Sequence, residues 1–150
     1  MSDPFKDIEL ETLLLGRQLS PTYRDEHGRQ RLDRSAYTLL TRLQLQGPMS
    51  IGQLSDAFGL VASTLNRQTA AMLRDGLVER IPDPEGGVAR KFLATKVGKE
   101  RLSADRRANI RGLRKVLSEW TDEDIDTLAE LLGRFNADIE LRDGRPWPRS

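Results

Sequence analysis

Residues 50–76 read Ser-Ile-Gly-Gln-Leu-Ser-Asp-Ala-Phe-Gly-Leu-Val-Ala-Ser-Thr-Leu-Asn-Arg-Gln-Thr-Ala-Ala-Met-Leu-Arg-Asp-Gly. Ser50 is a helix cap, because its hydroxyl can take up a free N–H of the first turn. A short helix then runs from Ile51 to Phe58, with Ile51, Leu54, Ala57 and Phe58 turned inward. Gly59 ends it, since glycine adopts the left-handed backbone of a sharp stop. A second helix follows, about Ala62 to Asp75, with an inward stripe of Leu65, Thr69, Met72 and Leu73. Two short helices joined by a glycine-containing turn make a helix-turn-helix.

Downstream, Leu77 to Ile81 reads as a strand and Val88 to Thr95 as a returning strand. Between them, Pro82-Asp83-Pro84-Glu85-Gly86-Gly87 is a turn. A hairpin placed directly after a helix-turn-helix is a wing. Upstream, Asp33 caps a helix from Arg34 to Gln46, with Tyr37, Leu40, Leu43 and Leu45 as its apolar stripe; Gly47-Pro48 stops it. Further out, apolar residues spaced by three and four predict a helix from Phe5 to about Arg24. Residues 25–33 read as a polar loop. Lys96 to about Glu119 and Asp122 to Leu141 read as two more helices, the last opened by Thr121-Asp122-Glu123-Asp124 in the manner of a capping box. The tail from Asp143 is expected to be loose or packed as an arm. The expected fold class is mainly α with a small β-hairpin wing. A winged helix-turn-helix lobe at 34–95 lies between helices at 5–24 and 96–141, in a single domain of 150 residues.

A net charge of +1 conceals a strong asymmetry. Residues 1–16 carry four acids and one base, residues 61–115 thirteen bases and six acids, and residues 121–143 eight acids and two bases. A basic middle between acidic ends suits a polyanion met by the middle alone. There is no Cys, so disulfides and thiolate chemistry are excluded. No run approaches the ~20 apolar residues of a membrane span, and the N-terminus has no signal-peptide core, so a soluble cytoplasmic protein is expected.

Catalysis finds no support. His27, the single histidine, sits in the polar loop and is expected to be solvated. Gly86-Gly87 is followed by a strand, so it is no phosphate cradle. No metal site or cofactor is expected. The second helix of the helix-turn-helix is more informative, because its outer face shows Ser63, Thr64, Asn66, Arg67 and Gln68 without one acid. Hydroxyls at a helix N-terminus suit phosphate oxygens, Asn and Gln pair with adenine, and Arg pairs with guanine. An ordinary solvated face would be rich in Glu and Lys instead. On the wing, Arg90 and Lys91 stand on the returning strand, where alternation turns one outward and the other toward the core. The candidate DNA-contacting set is therefore Ser50, Ser63, Thr64, Asn66, Arg67, Gln68, Arg90 and Lys91.

The chain resembles the multiple-antibiotic-resistance regulator (MarR) family over about residues 5–141. The resemblance is carried by Ser63-Thr64-Leu65-Asn66-Arg67, Gly76-Leu77-Val78-Glu79-Arg80, Asp83-Pro84-Glu85, and Leu93-Ala94-Thr95 followed by Gly98. It implies a homodimer whose terminal helices interlock, two recognition helices on a palindromic double-stranded DNA site, repression of transcription, and often a small-molecule effector pocket. Tyr23, Arg24 and Tyr37, near the connection of the first two helices, are candidates to line such a pocket. The family's wing tip usually holds an Asp and one or more Arg, whereas Gly86, Gly87 and Val88 stand here, so the tip contact is not implied for this chain and whether Arg90 replaces it is left open by the sequence. The alternative function is a winged-helix module that binds protein and not DNA.

Overall fold

The computed structural model describes residues 3–19 and 28–149. Within them the order is α1 (Pro4–Gln18), α2 (Arg34–Gln46), α3 (Ile51–Phe58), α4 (Ala62–Arg74), β1 (Val78–Ile81), β2 (Lys91–Ala94), α5 (Lys96–Val116) and α6 (Asp122–Asp143). Most boundaries follow local chemistry. Asp3, Asp33, Ser50, Thr95 and Thr121 each stand at an N-cap and accept a main-chain N–H from the first turn. At α3 the cap is reciprocal: Ser50 Oγ accepts from Gln53 N–H at 3.2 Å, and Gln53 Oε1 accepts from Ser50 N–H at 2.9 Å.

One core serves the lobe. Leu40 from α2, Leu54 from α3 and Leu65 from α4 have no exposed surface, and Met49 and Leu102 are nearly as enclosed. Phe92 and Ala94 of β2 close it from the wing side, and Leu32 closes it from the segment before α2. The core thus reaches beyond residues 34–95, taking Leu102 from the first half of α5. Buried Asp105 of α5 accepts the Leu32 N–H at 2.8 Å and pairs with Arg31 at 4.0 Å, which fixes the entry to α2. By contrast, α1 and α6 bury none of their residues. The apolar side chains Phe5, Ile8, Leu13 and Leu19 of the N-terminal segment are exposed, as are Ile110, Leu113 and Val116 of α5 and Leu131, Leu132, Phe135 and Ile139 of α6.

Several expectations need correction. Leu45 lies outside the α2 stripe and is exposed, while Ala36, Leu39 and Arg42 are buried there instead. The returning strand begins at Lys91 and not at Val88, because the ladder ends where Ile81 pairs with Lys91. The next residue, Pro82, has no N–H to extend the pairing. Arg90 is therefore a loop residue. The helix α5 stops at Val116, three residues short of Glu119, and α6 runs two residues past Leu141 to Asp143. Beyond the reach of sequence patterning, Met49 exchanges two main-chain hydrogen bonds with Phe92, at 2.8 and 3.2 Å, and so adds a bridge to the wing.

The tightest approach joins α5 to the wing. Thr95 donates its hydroxyl to Gly76 O at 2.6 Å, accepts from Gly98 N–H at 3.0 Å, and donates its own N–H to Leu77 O at 3.0 Å. A Cβ at Gly98 would collide with the Leu77 carbonyl and press on Leu40. Neither neighbour is the free end of a flexible chain. Gly98→Ala should cost about 1–3 kcal/mol, as overpacking of a core does. Thermal unfolding followed by circular dichroism checks this, and an unchanged midpoint would contradict the packing described.

Candidate nucleic-acid interface

The rotation of α4 about its axis decides which side chains it offers. Leu65, Thr69 and Met72 are buried, and Thr69 donates its hydroxyl back to Leu65 O at 2.8 Å. With about 3.6 residues per turn, burial of that stripe turns Ser63, Asn66, Arg67 and Ala70 outward. All four are exposed, and Thr64 and Gln68 are half-buried. The first turn of α4 carries no acid, and its N-cap, Val61, makes no side-chain cap hydrogen bond. The positive end of this helix is therefore left without a side-chain acceptor, the arrangement that attracts an anion.

The candidates differ in how free they are. Asn66 and Arg67 present an amide and a guanidinium on the outer face. Gln68 is tied back, its Nε2 donating to Ser35 Oγ of α2 at 3.3 Å. Ser50 is spent first on the fold, as the cap of α3. Both stand among the candidate contacts; the capping role of Ser50 agrees with its sequence pattern, whereas the tie of Gln68 to Ser35 has no counterpart there. The capping-box spacing of Ser50 and Gln53 is the available signal for the first; nothing local signals Ser35.

The wing tip is organised by Asp83. Its carboxylate accepts the Glu85 N–H at 2.9 Å and faces Lys91 Nζ at 3.5 Å. The Glu85 N–H, and with it Lys91 and the Gly87 N–H, hold the Asp83 carboxyl below the usual carboxylate range. A Cβ at Gly87 would strike the same carboxylate, so glycine there makes room for Asp83. Lys91, the half-buried one of the two wing cations, is thus internally paired, and Arg90 is the exposed one. Val88 stands fully exposed at the tip.

Of the effector-pocket candidates, Tyr37 alone lies among the described residues. Tyr23 and Arg24 lie outside the described residues, as does His27. Tyr37 is half-buried and packs against the core. Two shallow concavities lie elsewhere. One of about 400 Å³ is lined by Arg29, Gln30, Glu100, Arg101, Ala104 and Asp105. The other, of about 460 Å³, lies beside Trp120, Leu128 and Leu131. No cluster of metal-ligating side chains is found among the described residues.

Comparison with known proteins agrees with this architecture. A model of the MarR family matches residues 32–86. The uncharacterized HTH-type transcriptional regulator YxaD of Bacillus subtilis (strain 168) is 34% identical over 134 residues, covering 89% of this chain and 94% of YxaD. A second such regulator of that organism, YybA, is 25% identical over 134 residues, covering 89% of each chain. In fold, a MarR family protein from Bacillus stearothermophilus matches with a TM-score of 0.75 at 23% identity, covering 93% of this chain and 99% of that one. With a helix-turn-helix that turns an acid-free polar face outward, a hairpin wing, and a relative matched over nearly its whole length, the chain belongs to the MarR family of DNA-binding transcriptional regulators and is not an enzyme.

Proposed function

We propose that the chain acts as a homodimeric repressor on a palindromic operator, reading bases through α4 and phosphates through Arg90, with a small-molecule effector lowering its affinity. The observation that carries this reading is the pairing of an acid-free α4 face with two terminal helices none of whose residues is fully buried among the described residues. An isolated helix the length of α1 is marginal in water, and amphipathic helices gain their stability from packing. A second copy of the chain supplies that packing most simply, because the same open surfaces meet across a two-fold axis. Charge favours the same occupant. The distal half of α5 carries Arg111, Arg114 and Lys115, whereas α1 and α6 are acidic. Joining acidic terminal helices to basic α5 ends leaves the field of the lobe positive toward DNA.

A two-fold dimer places its half-sites about 10–10.5 base pairs apart, or a multiple of that. Control by an effector then follows from geometry: a ligand that prefers another spacing of the two α4 helices draws the population away from DNA. Tyr23, Arg24 and Tyr37 are the residues proposed to line the site of such a ligand.

Three outcomes check this reading. Arg67→Ala should weaken specific binding by about 1–3 kcal/mol, as loss of a bidentate base contact does, and relax sequence preference. Fluorescence anisotropy against a selected duplex measures it, and unchanged discrimination would remove Arg67 from the reading face. Arg90→Ala should flatten the dependence of log affinity on log salt by about 0.9 per half-site. Lys91→Ala should flatten it less, since Lys91 is held by Asp83; equal slopes for both variants would refute the distinction. Phe135→Glu should yield a monomer by light scattering with much weaker duplex binding. A stable dimer in that variant would place the interface elsewhere, and a dimer of the unmodified chain that shows no preference among duplexes would favour a protein-binding winged helix.

A further inference from the structure

The C-terminal residues fold back onto the lobe. After Gly144, in the left-handed conformation at φ 68°, Arg145 donates its N–H to Glu140 O at 3.1 Å. Trp147 donates its main-chain N–H to Glu140 Oε2 at 3.0 Å. Arg149 grips both oxygens of the same carboxylate, at 2.6 and 2.8 Å. One carboxylate in the last turns of α6 therefore fastens the whole arm. The hydrogen bonds from Arg149 and from the Trp147 N–H hold the Glu140 carboxyl down to about 2, so the clasp is intact at any ordinary pH.

The ring of Trp147 then meets two elements of the lobe. Its centroid lies 5.7 Å from that of Phe58, the last residue of α3, with the planes tilted by 59°. Arg42 of α2 sets its guanidinium carbon 4.9 Å from the same ring. Arg145 covers the end of α3, where a Cβ on Gly59 would lie 2.7 Å from the Arg145 guanidinium carbon. Arg42 is itself buried: its Nε donates to Gln46 Oε1 at 2.8 Å, and its Nη1 has no hydrogen-bond partner among the described residues. A cation so placed is costly unless a compensating charge or π-face lies beside it. The Trp147 face supplies the one, and Glu140, which opposes the lowering of the Arg42 pKa by burial, supplies the other.

Because α6 contributes no residue to the core, the arm is where this helix is fastened to the helix-turn-helix. We propose that residues 144–149 are a strap that sets the angle between α6 and the lobe, with Trp147 as a positioning residue for DNA binding. The proposal rests on the reading of α4 as the DNA-reading helix and α6 as part of the dimer scaffold. Where α6 anchors the dimer, the strap fixes where each α4 is presented.

The chain has no Cys, so nitroxide labels can be placed at will. Ala70→Cys on α4 and Ala137→Cys on α6, both at exposed positions, report the angle as a distance within one chain. The labelled chain is mixed with a large excess of unlabelled chain, so the reading is intramolecular in any oligomeric state. A narrow distribution is expected, broadened or shifted by Trp147→Ala and restored by Trp147→Phe. Affinity for the selected duplex should fall at least about fivefold in Trp147→Ala, the low end of ordinary coupling energies, and recover in Trp147→Phe. An unchanged distribution in Trp147→Ala overturns the strap. If that variant does not fold, Arg149→Gln opens the clasp without disturbing the aromatic cluster, and broadening or its absence decides in the same way. A distance that responds in a chain that prefers no duplex keeps the strap and defeats the DNA reading. Specific binding with an unresponsive distance does the reverse.

Discussion

Burial of Leu65 is the constraint on which the rest depends. The side chain has no exposed surface and sits with Leu40 and Leu54 in one core. A helix with one residue so anchored has its rotation set, because each neighbour is displaced by about 100° around the axis. Turning α4 by one residue would bring Asn66 or Thr64 into the core and strand an amide or hydroxyl without water. That costs about 1–3 kcal/mol for each group left unpaired. The apolar stripe and the polar outer face are thus one fact seen from two sides. The capped α3 holds Leu54 against α4, and Gly98 lets α5 close on the wing behind them.

The electrostatics follow the same division. Cations on the wing are not equivalent, although Arg90 and Lys91 are adjacent in sequence. Lys91 borders the interior and is matched by Asp83, while Arg90 faces solvent. The family pattern has charged residues at the tip. Here Gly87 gives the Asp83 carboxylate the room to organise the turn, and Val88 occupies the outermost place. On the proposed mode of binding, the wing then offers fewer charges and more of the discrimination falls to α4.

Much of the lobe was legible in the sequence because its signals are local. Caps at Ser50 and Asp33, stops at Gly47 and Gly59, and the stripe Leu65, Thr69, Met72 are each decided within a turn or two. The length of β2 was not legible, since it depends on Asp83 drawing the tip together and on Pro82 ending the ladder. The α2 stripe was misplaced at Leu45 because Arg42 is buried in a way that residue type argues against. Its compensation comes from Trp147 and Glu140, about a hundred residues later in the chain. The ties of Gln68 to Ser35 and of Asp105 to Leu32 are long-range for the same reason. On the outer face of α4, the outward position of Ser63, Asn66 and Arg67 follows from periodicity alone.

The central claim is that two copies of α4 read one duplex across a two-fold axis. Hydroxyl-radical footprinting on a duplex selected from a random pool tests it most directly. The account predicts two protected tracts of equal strength on one face of the duplex, with centres one helical turn or a whole multiple apart and symmetry-related sequence beneath them. A single tract, or protection that follows no symmetry in the selected sequence, would contradict it.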